Sequence, residues 1–461
     1  FWILALPGFA LLTWRLAGLA GRARWWAGAA FGLGLFVPTL FWMTEFHAVG
    51  FVAAAAVEAA FMAAMAGAVP PRRVPLALPA ALVLAEAARD AWPFGGVPLG
   101  GAALGQAGGP LAPAAALGGA LLVAGLAAAA GAALAAAATR RFATAVALGA
   151  AVVALPLAGL AAAPSPASGP RLHAALVQGG GERGLRAVDS DPGVVFDRHL
   201  AETAAVSGPV DLVLWPENTV DVPRLDGSRE AADLAAAAER LGTTVVAGVT
   251  EDAGVDRFDN VAVAWAPSGA VTDRYTKVHR VPFGEYVPGR ALISKLADLS
   301  VLPRDAVAGH GSGAIDTAAG RFGVTISYEV FFAGRARSAI GAGGRALLVP
   351  TNAASFRTSQ VPTQEVAAAR LRAWETGRWV LQAAPTGYSA VIDPRGRVRA
   401  RSRLGAGQVL RADARLLSAR TPYVRFGDAP VLVVAALALA TARLLARRDA
   451  AAGPRPDAPA G

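Results

Sequence analysis

The sequence predicts a membrane α-helical bundle joined to an α/β layered domain that lies outside the cytoplasm. Three observations predict it. Apolar residues, 54% of the 461-residue chain, gather in long runs at its two ends. Arginine clusters follow every second run. Between the runs lies a stretch in which short β-branched segments alternate with amphipathic ones.

Taken in order, the apolar runs cover residues 1–20, 26–46, 48–69, 75–90, 113–138, 142–162 and 429–447. Runs of roughly 18 to 25 apolar residues are long enough to cross ~30 Å of hydrocarbon as helices. Arg22 and Arg24 follow the first, Arg72 and Arg73 the third, Arg140 and Arg141 the fifth, and Arg443, Arg447 and Arg448 the last. The loops around His47 and from Ala91 to Leu111 carry almost no basic residues. Basic loops stay in the cytoplasm, so residues 164–428 belong on the opposite side. Glu58 sits in mid-span, where an acid is expensive; it reads either as a functional group or as a helix-packing one.

The character of the chain changes at a Pro/Ser/Gly linker, Ala163 to Pro170. Strand-like runs follow at 172–177, 210–215, 243–249, 260–265, 323–331, 345–350, 379–384 and 388–392. Helical patterns cover 194–206, 228–241 and 361–377, and Val261 to Thr276 reads as a hairpin turning at Pro267-Ser268-Gly269. Strands alternating with helices over ~265 residues describe a layered domain with its own core. The expected division is 1–163 for about six membrane helices, 164–428 for the extracytoplasmic domain, 429–447 for a closing span and 448–461 for a disordered cytoplasmic tail.

Composition narrows the chemistry. With no cysteine, disulfides, thiolate metal sites and thiol nucleophiles are excluded. The five histidines are scattered, with no pair at metal-ligand spacing, so no metal is expected. The net charge of +10 fits membrane topology. No basic stripe interleaved with aromatics speaks for nucleic acid. The opening runs are too long and too many for a cleaved signal peptide.

Three places can carry a reaction. Val210-Asp211-Leu212-Val213-Leu214-Trp215-Pro216 ends as a strand must at proline, leaving Glu217 in the loop beyond. Tyr275-Thr276-Lys277-Val278-His279 puts an ammonium after the hairpin, and Phe322-Gly323-Val324-Thr325-Ile326-Ser327-Tyr328-Glu329 delivers a hydroxyl to a turn. Singly, each has an ordinary reading: Glu217 as a helix N-cap, Lys277 as a solvated charge, Ser327 as a buried hydroxyl bonded to backbone. A carboxylate, an ammonium and a hydroxyl, each just past a strand, fit one sheet edge. A Ser/His/Asp triad from Ser327 and His279 is a second arrangement, although no G-x-S-x-G elbow surrounds the serine. Gly309-His310-Gly311-Ser312-Gly313 reads as a turn.

The order of these motifs resembles the apolipoprotein N-acyltransferase family, membrane enzymes carrying a nitrilase-like domain with a Glu-Lys-Cys triad. The matching stretches are Trp215-Pro216-Glu217, the block from Tyr275 through Lys277, Glu285 and Tyr286 to Pro288, and Ile326-Ser327-Tyr328-Glu329. Arg370 to Arg378, Gly387 to Asp393, Thr421 to Asp428, and Glu86, Arg89 and Phe94 to Gln106 in the membrane part fit as well. The resemblance implies a nitrilase-like αββα sandwich and eight spans, so that a first span would precede Phe1. It implies an enzyme of the plasma membrane that needs no cofactor. Such an enzyme moves an acyl chain from a phospholipid to the N-terminal amine of a diacylglyceryl-cysteine lipoprotein through an acyl-enzyme.

In the implied roles Glu217 is general base, and Lys277 stabilises the oxyanion with the backbone N–H of Tyr328. Glu285 orients the lysine, and Glu329 is a supporting residue. Asn352, Phe356 and Glu86 would contact substrate. Two departures stand out. Ser327 occupies the place of the family's cysteine, and Asn352-Ala353-Ala354-Ser355-Phe356 replaces Asn-Asp followed by Trp-Phe. A hydroxyl is a far weaker nucleophile than a thiol with pKa near 8.5, so slow transfer is expected. Two other functions stay open: a non-catalytic member that binds lipid or lipoprotein or scaffolds a partner, and a membrane-anchored amide hydrolase.

Overall fold

The computed structural model describes residues 2–181, 191–295, 299, 302–353 and 360–451. The chain forms two compact units, Phe1–Ala158 with Asp428–Gly461, and Gly159–Gly427.

The first unit is helical. Arg22–Glu45, Ala48–Ala68, Ala112–Ala138, Phe142–Ala162 and Ala429–Ala451 are long and apolar enough to cross a membrane. Ala5–Ala17 and Val74–Arg89 are shorter; the 16 residues of the latter rise about 24 Å. Helices Arg22–Leu40 and Ala48–Ala68 touch backbone to backbone because Gly28 and Gly32 lie one turn apart. A Cβ on Gly28 would stand 2.4 Å from the Met62 carbonyl oxygen, and one on Gly32 would stand 2.7 Å from Ala59 Cα.

Glu58 and Glu86 meet at Arg89, which donates from Nε to Glu58 Oε2 at 2.6 Å and from Nη1 to Glu86 Oε2 at 2.8 Å. Arg89 Nη2 holds the carbonyls of Val97 and Leu99. Glu58 therefore serves packing. The last helix runs through Ala451, so residues 448–451, expected to open a disordered tail, are helical, and Arg73 pairs with Asp449 there at 2.8 Å. The remainder of the expected tail lies outside the described residues.

The second unit is built from strands β1 (Arg171–Gln178), β2 (Leu212–Leu214), β3 (Val220–Val222), β4 (Thr244–Asp252), β5 (Arg257–Trp265), β6 (Val271–Thr276) and β7 (Asp305–Ala306). It continues with β8 (Ala314–Thr317), β9 (Gly320–Val324), β10 (Leu347–Pro350), β11 (Val380–Ala383), β12 (Ala390–Ile392), β13 (Val398–Arg401) and β14 (Gln408–Arg415). Among the described residues one sheet runs β14-β1-β2-β4-β5-β6, with β3 on β4 and β7 on β5, and the other runs β13-β12-β11-β10-β9-β8. The pairs β1–β2, β2–β4, β9–β10 and β10–β11 are parallel, as crossover helices require.

Strand alternation sorts the core into layers. Leu172, Leu176, Leu214, Val246 and Ala264 of the first sheet pack against Phe322, Val324, Leu348, Leu381 and Val391 of the second. Val177, Val213, Trp215, Val245 and Val263 point the other way, onto Phe196, Leu234 and Ala238 of helices Pro192–Ala204 and Arg229–Leu241. Helices Ala333–Gly341 and Val361–Thr376 pack on the second sheet. The result is helix, sheet, sheet, helix.

One expected strand is corrected: the run 323–331 is strand only to Val324, and Ser327–Phe331 is a 3-10 helix. Two buried carbonyls of that turn, Val330 and Phe331, are held by Arg372 at 3.2 and 3.0 Å, which gives the apolar run a hydrogen-bonded alternative to the sheet. Strands β13 and β14 and helix Ala333–Gly341 carry too many arginines and alanines to register as apolar periodicity.

Leu348 sits between the two sheets with no exposed surface. Leu348→Ala is expected to destabilise this unit by about 2–5 kcal/mol, whereas Val398→Thr on exposed β13 changes stability by less than about 0.5 kcal/mol. Denaturant unfolding of the purified chain, followed by tryptophan fluorescence, measures both.

Candidate active site

Glu217 is placed by the parallel ladder of the first sheet. Trp215 N–H donates to the Val246 carbonyl at 2.8 Å, Pro216 ends the strand, and Gly248 N–H donates to the Pro216 carbonyl at 3.1 Å. A side chain on Gly248 would strike Glu217 Cα at 2.5 Å, so the close approach of β4 demands glycine there. The next element is strand β3, and the following helix is capped by Ser228, so Glu217 is not a helix cap.

Lys277 leaves the end of β6 and is 1% exposed. Its Nζ donates to Glu217 Oε1 and to Glu285 Oε1, each at 2.8 Å. Asn260 of β5 donates to the same two oxygens at 2.8 and 2.9 Å. Glu285 Oε2 in turn accepts from the Val281 N–H at 2.7 Å, which fixes the carboxylate within its own loop. Burial works to lower the Lys277 pKa, but the Glu217 and Glu285 carboxylates outweigh it and hold the ammonium above its ordinary value. Burial pushes the Glu217 carboxyl up, against the pull of Lys277 and with the help of Glu285. One cation between two acids leaves the more buried acid poised to take a proton.

Ser327 opens its 3-10 turn with φ +49°, a left-handed conformation that a serine rarely adopts and that active sites store. No glycine pattern announces this elbow. Glu329 makes the turn rigid and ties it to the lysine loop. Its Oε2 accepts from the Ile326 N–H at 2.9 Å, while Oε1 accepts from the N–H groups of Val278 and His279 at 2.8 and 3.1 Å. Tyr275 donates its hydroxyl to the same carboxylate at 2.8 Å. The residue before Ser327 and the residue after Lys277 are thus bonded to one buried carboxylate, so the two stretches meet. Tyr328 follows Ser327 in the first turn of that 3-10 helix, with its side chain edge-on to Phe332.

Ser327 Oγ is not bonded to His279. It lies 3.3 Å from Thr351 Oγ1, and Thr351 Oγ1 lies 2.5 Å from Glu365 Oε1. His279 stacks on Phe332 at 4.1 Å, and burial together with Arg335 lowers its pKa to about 4, so it is neutral near pH 7 and no triad forms. Asn352 reaches across to Asn218 Oδ1 at 3.4 Å, beside Glu217. Phe356 lies outside the described residues. Glu86 belongs to the helical unit, where Arg89 and the Ala102 N–H occupy its carboxylate.

Asn260, Thr351 and Glu365 were not expected. Asn260 is a lone amide inside an apolar strand, and Glu365 is an acid on the buried face that helix Val361–Thr376 shares among Ala368, Ala369 and Arg372. Both are readable as polar residues at core positions.

The family model described as carbon-nitrogen hydrolase matches residues 126–421, and that described as the apolipoprotein N-acyltransferase N-terminal domain matches residues 1–134. The apolipoprotein N-acyltransferase of Geobacter metallireducens is 32% identical over 59% of this chain and 55% of its own length. That of Mycolicibacterium smegmatis is 31% identical over 53% of this chain and 44% of its own. In these two matches the chain spans about half the length of the relatives. The apolipoprotein N-acyltransferase of Azotobacter vinelandii is 33% identical over 99% of this chain and 93% of its own. The chain belongs to the apolipoprotein N-acyltransferase family.

Its α/β unit is the nitrilase-like part of that family, and its apolar helices make it a membrane protein. Among solved structures, yeast Nit3, a member of branch 10 of the nitrilase superfamily from Saccharomyces cerevisiae, is similar at 23% identity. It covers 55% of this chain and 93% of its own, with a TM-score of 0.42.

His279 gives a pH signature. Its folded pKa, about 4, lies below the ordinary 6.5. The unfolded chain therefore binds more protons between those values, and stability falls as pH drops from about 6.5 to 4. His279→Gln is expected to flatten the slope of melting temperature against pH within that window and to leave it unchanged above pH 7, as differential scanning fluorimetry would record.

Proposed function

We propose that this protein transfers an acyl chain from a membrane phospholipid to the α-amino group of a diacylglyceryl-cysteine lipoprotein through an oxygen ester on Ser327. The observation that carries the reading is the joining of two buried structures by one strut. The Glu217–Lys277–Glu285 cluster and the left-handed turn at Ser327 are linked by Glu329 bonding to Val278, His279 and Ile326. The arginine pattern between the apolar helices supports a plasma-membrane protein whose α/β unit lies outside the cytoplasm. Asn352, beside Asn218, and Phe356 are proposed substrate contacts. Glu86, committed to Arg89, is better explained as structure.

In the first half-reaction Ser327 Oγ gives up its proton and attacks the ester carbonyl. A C–O bond forms, the carbonyl electron pair moves onto oxygen, and Lys277 with the Tyr328 N–H stabilises that oxyanion. Collapse of the intermediate expels the lysophospholipid oxygen, which takes a proton. In the second, the amine attacks the ester, a C–N bond forms, a proton leaves nitrogen, and Ser327 Oγ departs. Glu217, raised in pKa beside the reacting centre, is the general acid and base for these transfers. No metal or cofactor is required by any step.

Incubation of the purified chain with labelled phospholipid tests this. A covalent acyl adduct on Ser327, chased onto a diacylated lipopeptide amine, is the expected result. Lys277→Met should slow adduct formation by about 10²–10³, and Ser327→Ala should abolish it. Ser327→Cys should speed it by on the order of tenfold or more, because a thiol is the stronger nucleophile. Lipid binding without adduct in both the native and the Ser327→Cys chain would replace the transferase reading by a binding one. Release of free acid in place of lipopeptide acylation would make the chain a hydrolase.

A further inference from the structure

We infer that Ser327 gives up its own proton by a second route, through the Thr351 hydroxyl to the Glu365 carboxyl, leaving Glu217 to serve the leaving group and the acceptor amine. The inference rests on the acyl-ester reading above. Glu365 acts through Thr351 and is a positioning residue: it holds a proton and aims a hydroxyl.

A serine nucleophile depends wholly on a base within hydrogen-bond reach. Glu217 Oε1 is already shared by Lys277 and Asn260. Among the described residues the side chain that meets Ser327 Oγ is Thr351, at 3.3 Å, and Thr351 Oγ1 stands 2.5 Å from Glu365 Oε1. Thr351 is fixed just past β10 by its N–H bond to the Ala383 carbonyl at 2.9 Å. Glu365 is 3% exposed, and its Oε2 has no hydrogen-bond partner among the described residues. A hydroxyl donates one hydrogen and accepts others, so this row of oxygens has two polarities. With Glu365 ionised, Ser327 donates to Thr351 and Thr351 to Glu365. With Glu365 protonated, every donation reverses. Passing from one to the other moves one proton from serine to glutamate.

Near neutral pH both the ionised and the protonated form of Glu365 are populated. Burial pushes the Glu365 carboxyl up to about 8; the Thr351 bond opposes this, Glu217 adds to it and Lys277 subtracts. Other charged groups on the elements around its helix are engaged elsewhere. Glu329 is held by Tyr275 and three backbone N–H groups, and Arg335 by Tyr275. Arg337 holds the carbonyls of Tyr423 and Arg425, Arg372 pairs with Glu375, and Arg425 itself is exposed.

Protons balance. In the first half-reaction the Ser327 proton moves to Thr351 as the Thr351 proton moves to Glu365, while protonated Glu217 gives its proton to the departing lysophospholipid oxygen. In the second, Glu217 takes the proton from the attacking nitrogen, and Glu365 returns its own through Thr351 to the departing Ser327 oxygen. Both acids end as they began.

The test follows acyl-adduct formation on Ser327 of the full chain in lipid nanodiscs between pH 6 and 9.5. Native protein is expected to give a bell-shaped profile, rising on the acid side because only ionised Glu365 accepts the proton and falling on the alkaline side because only protonated Glu217 can give one. Glu365→Gln and Thr351→Val should each lower the rate by about 10² and remove that rise; Thr351→Ser should retain it. In a Ser327→Cys background, Glu365→Gln should lose only about threefold, since a thiol ionises with little help. Thr351→Ser against Thr351→Val keeps the comparison valid should Glu365→Gln fold poorly. An adduct whose rate and pH profile survive both Glu365→Gln and Thr351→Val overturns the relay and leaves the acyl-ester reading standing. No adduct in either native or Ser327→Cys protein overturns both.

Discussion

The arrangement of the α/β unit depends on one desolvated ammonium. Lys277 is buried beneath two carboxylates, and removing such a cation from water is unfavourable by several kcal/mol unless fixed partners replace the solvent. Glu217, Glu285 and Asn260 are those partners, drawn from the end of β2, the interior of β5 and the loop after β6. None of them holds the position alone. Gly248 lets β4 approach the Glu217 backbone, and Val281 locks Glu285. The placement of Lys277 is therefore a property of the whole first sheet.

The second constraint is backbone geometry at Ser327. A serine at φ +49° is strained, and the strain persists only where surrounding bonds over-determine the turn. Glu329 does so from one side, through Ile326, and Arg372 from the other, through the carbonyls of Val330 and Phe331. Because Glu329 also binds Val278 and His279, the strained turn and the buried lysine are set by the same side chain. An isolated motif could not achieve that registration; it needs β6 and β9 to end at the same edge.

Much of this was legible in the sequence, for identifiable reasons. Trp215-Pro216-Glu217 is readable because proline must end a strand, and the hairpin to Thr276 because turn residues separate two β-rich runs; the structure has both, as β2 and as β5–β6. What escaped was of two kinds. Apolar runs do not say whether they continue as strand, so the strand expected over 323–331 overruns β9; the turn at Ser327 rests on long-range bonds from Arg372 and Glu329 that no local pattern encodes. Glu365 and Asn260 lie at core positions where a polar residue looks like an error in periodicity until its partners are known. Edge strands β13 and β14 escaped because their arginines face solvent.

The two units solve the same electrostatic problem to different ends. In the helical unit Arg89 is also a buried cation between two acids. Its Nε and Nη1 go to Glu58 and Glu86 and its Nη2 to two carbonyls, so every nitrogen of its guanidinium is committed. That is a closed clamp, and a guanidinium suits it because its fork of donors is rigid. Lys277 has three donors and, among the described residues, gives two of them to Glu217 and Glu285. In the proposed reaction the third serves an oxygen that carries negative charge only transiently. A group that stabilises a developing oxyanion must be held firmly and yet keep one hydrogen in reserve, and a doubly paired lysine meets both conditions where the arginine clamp does not.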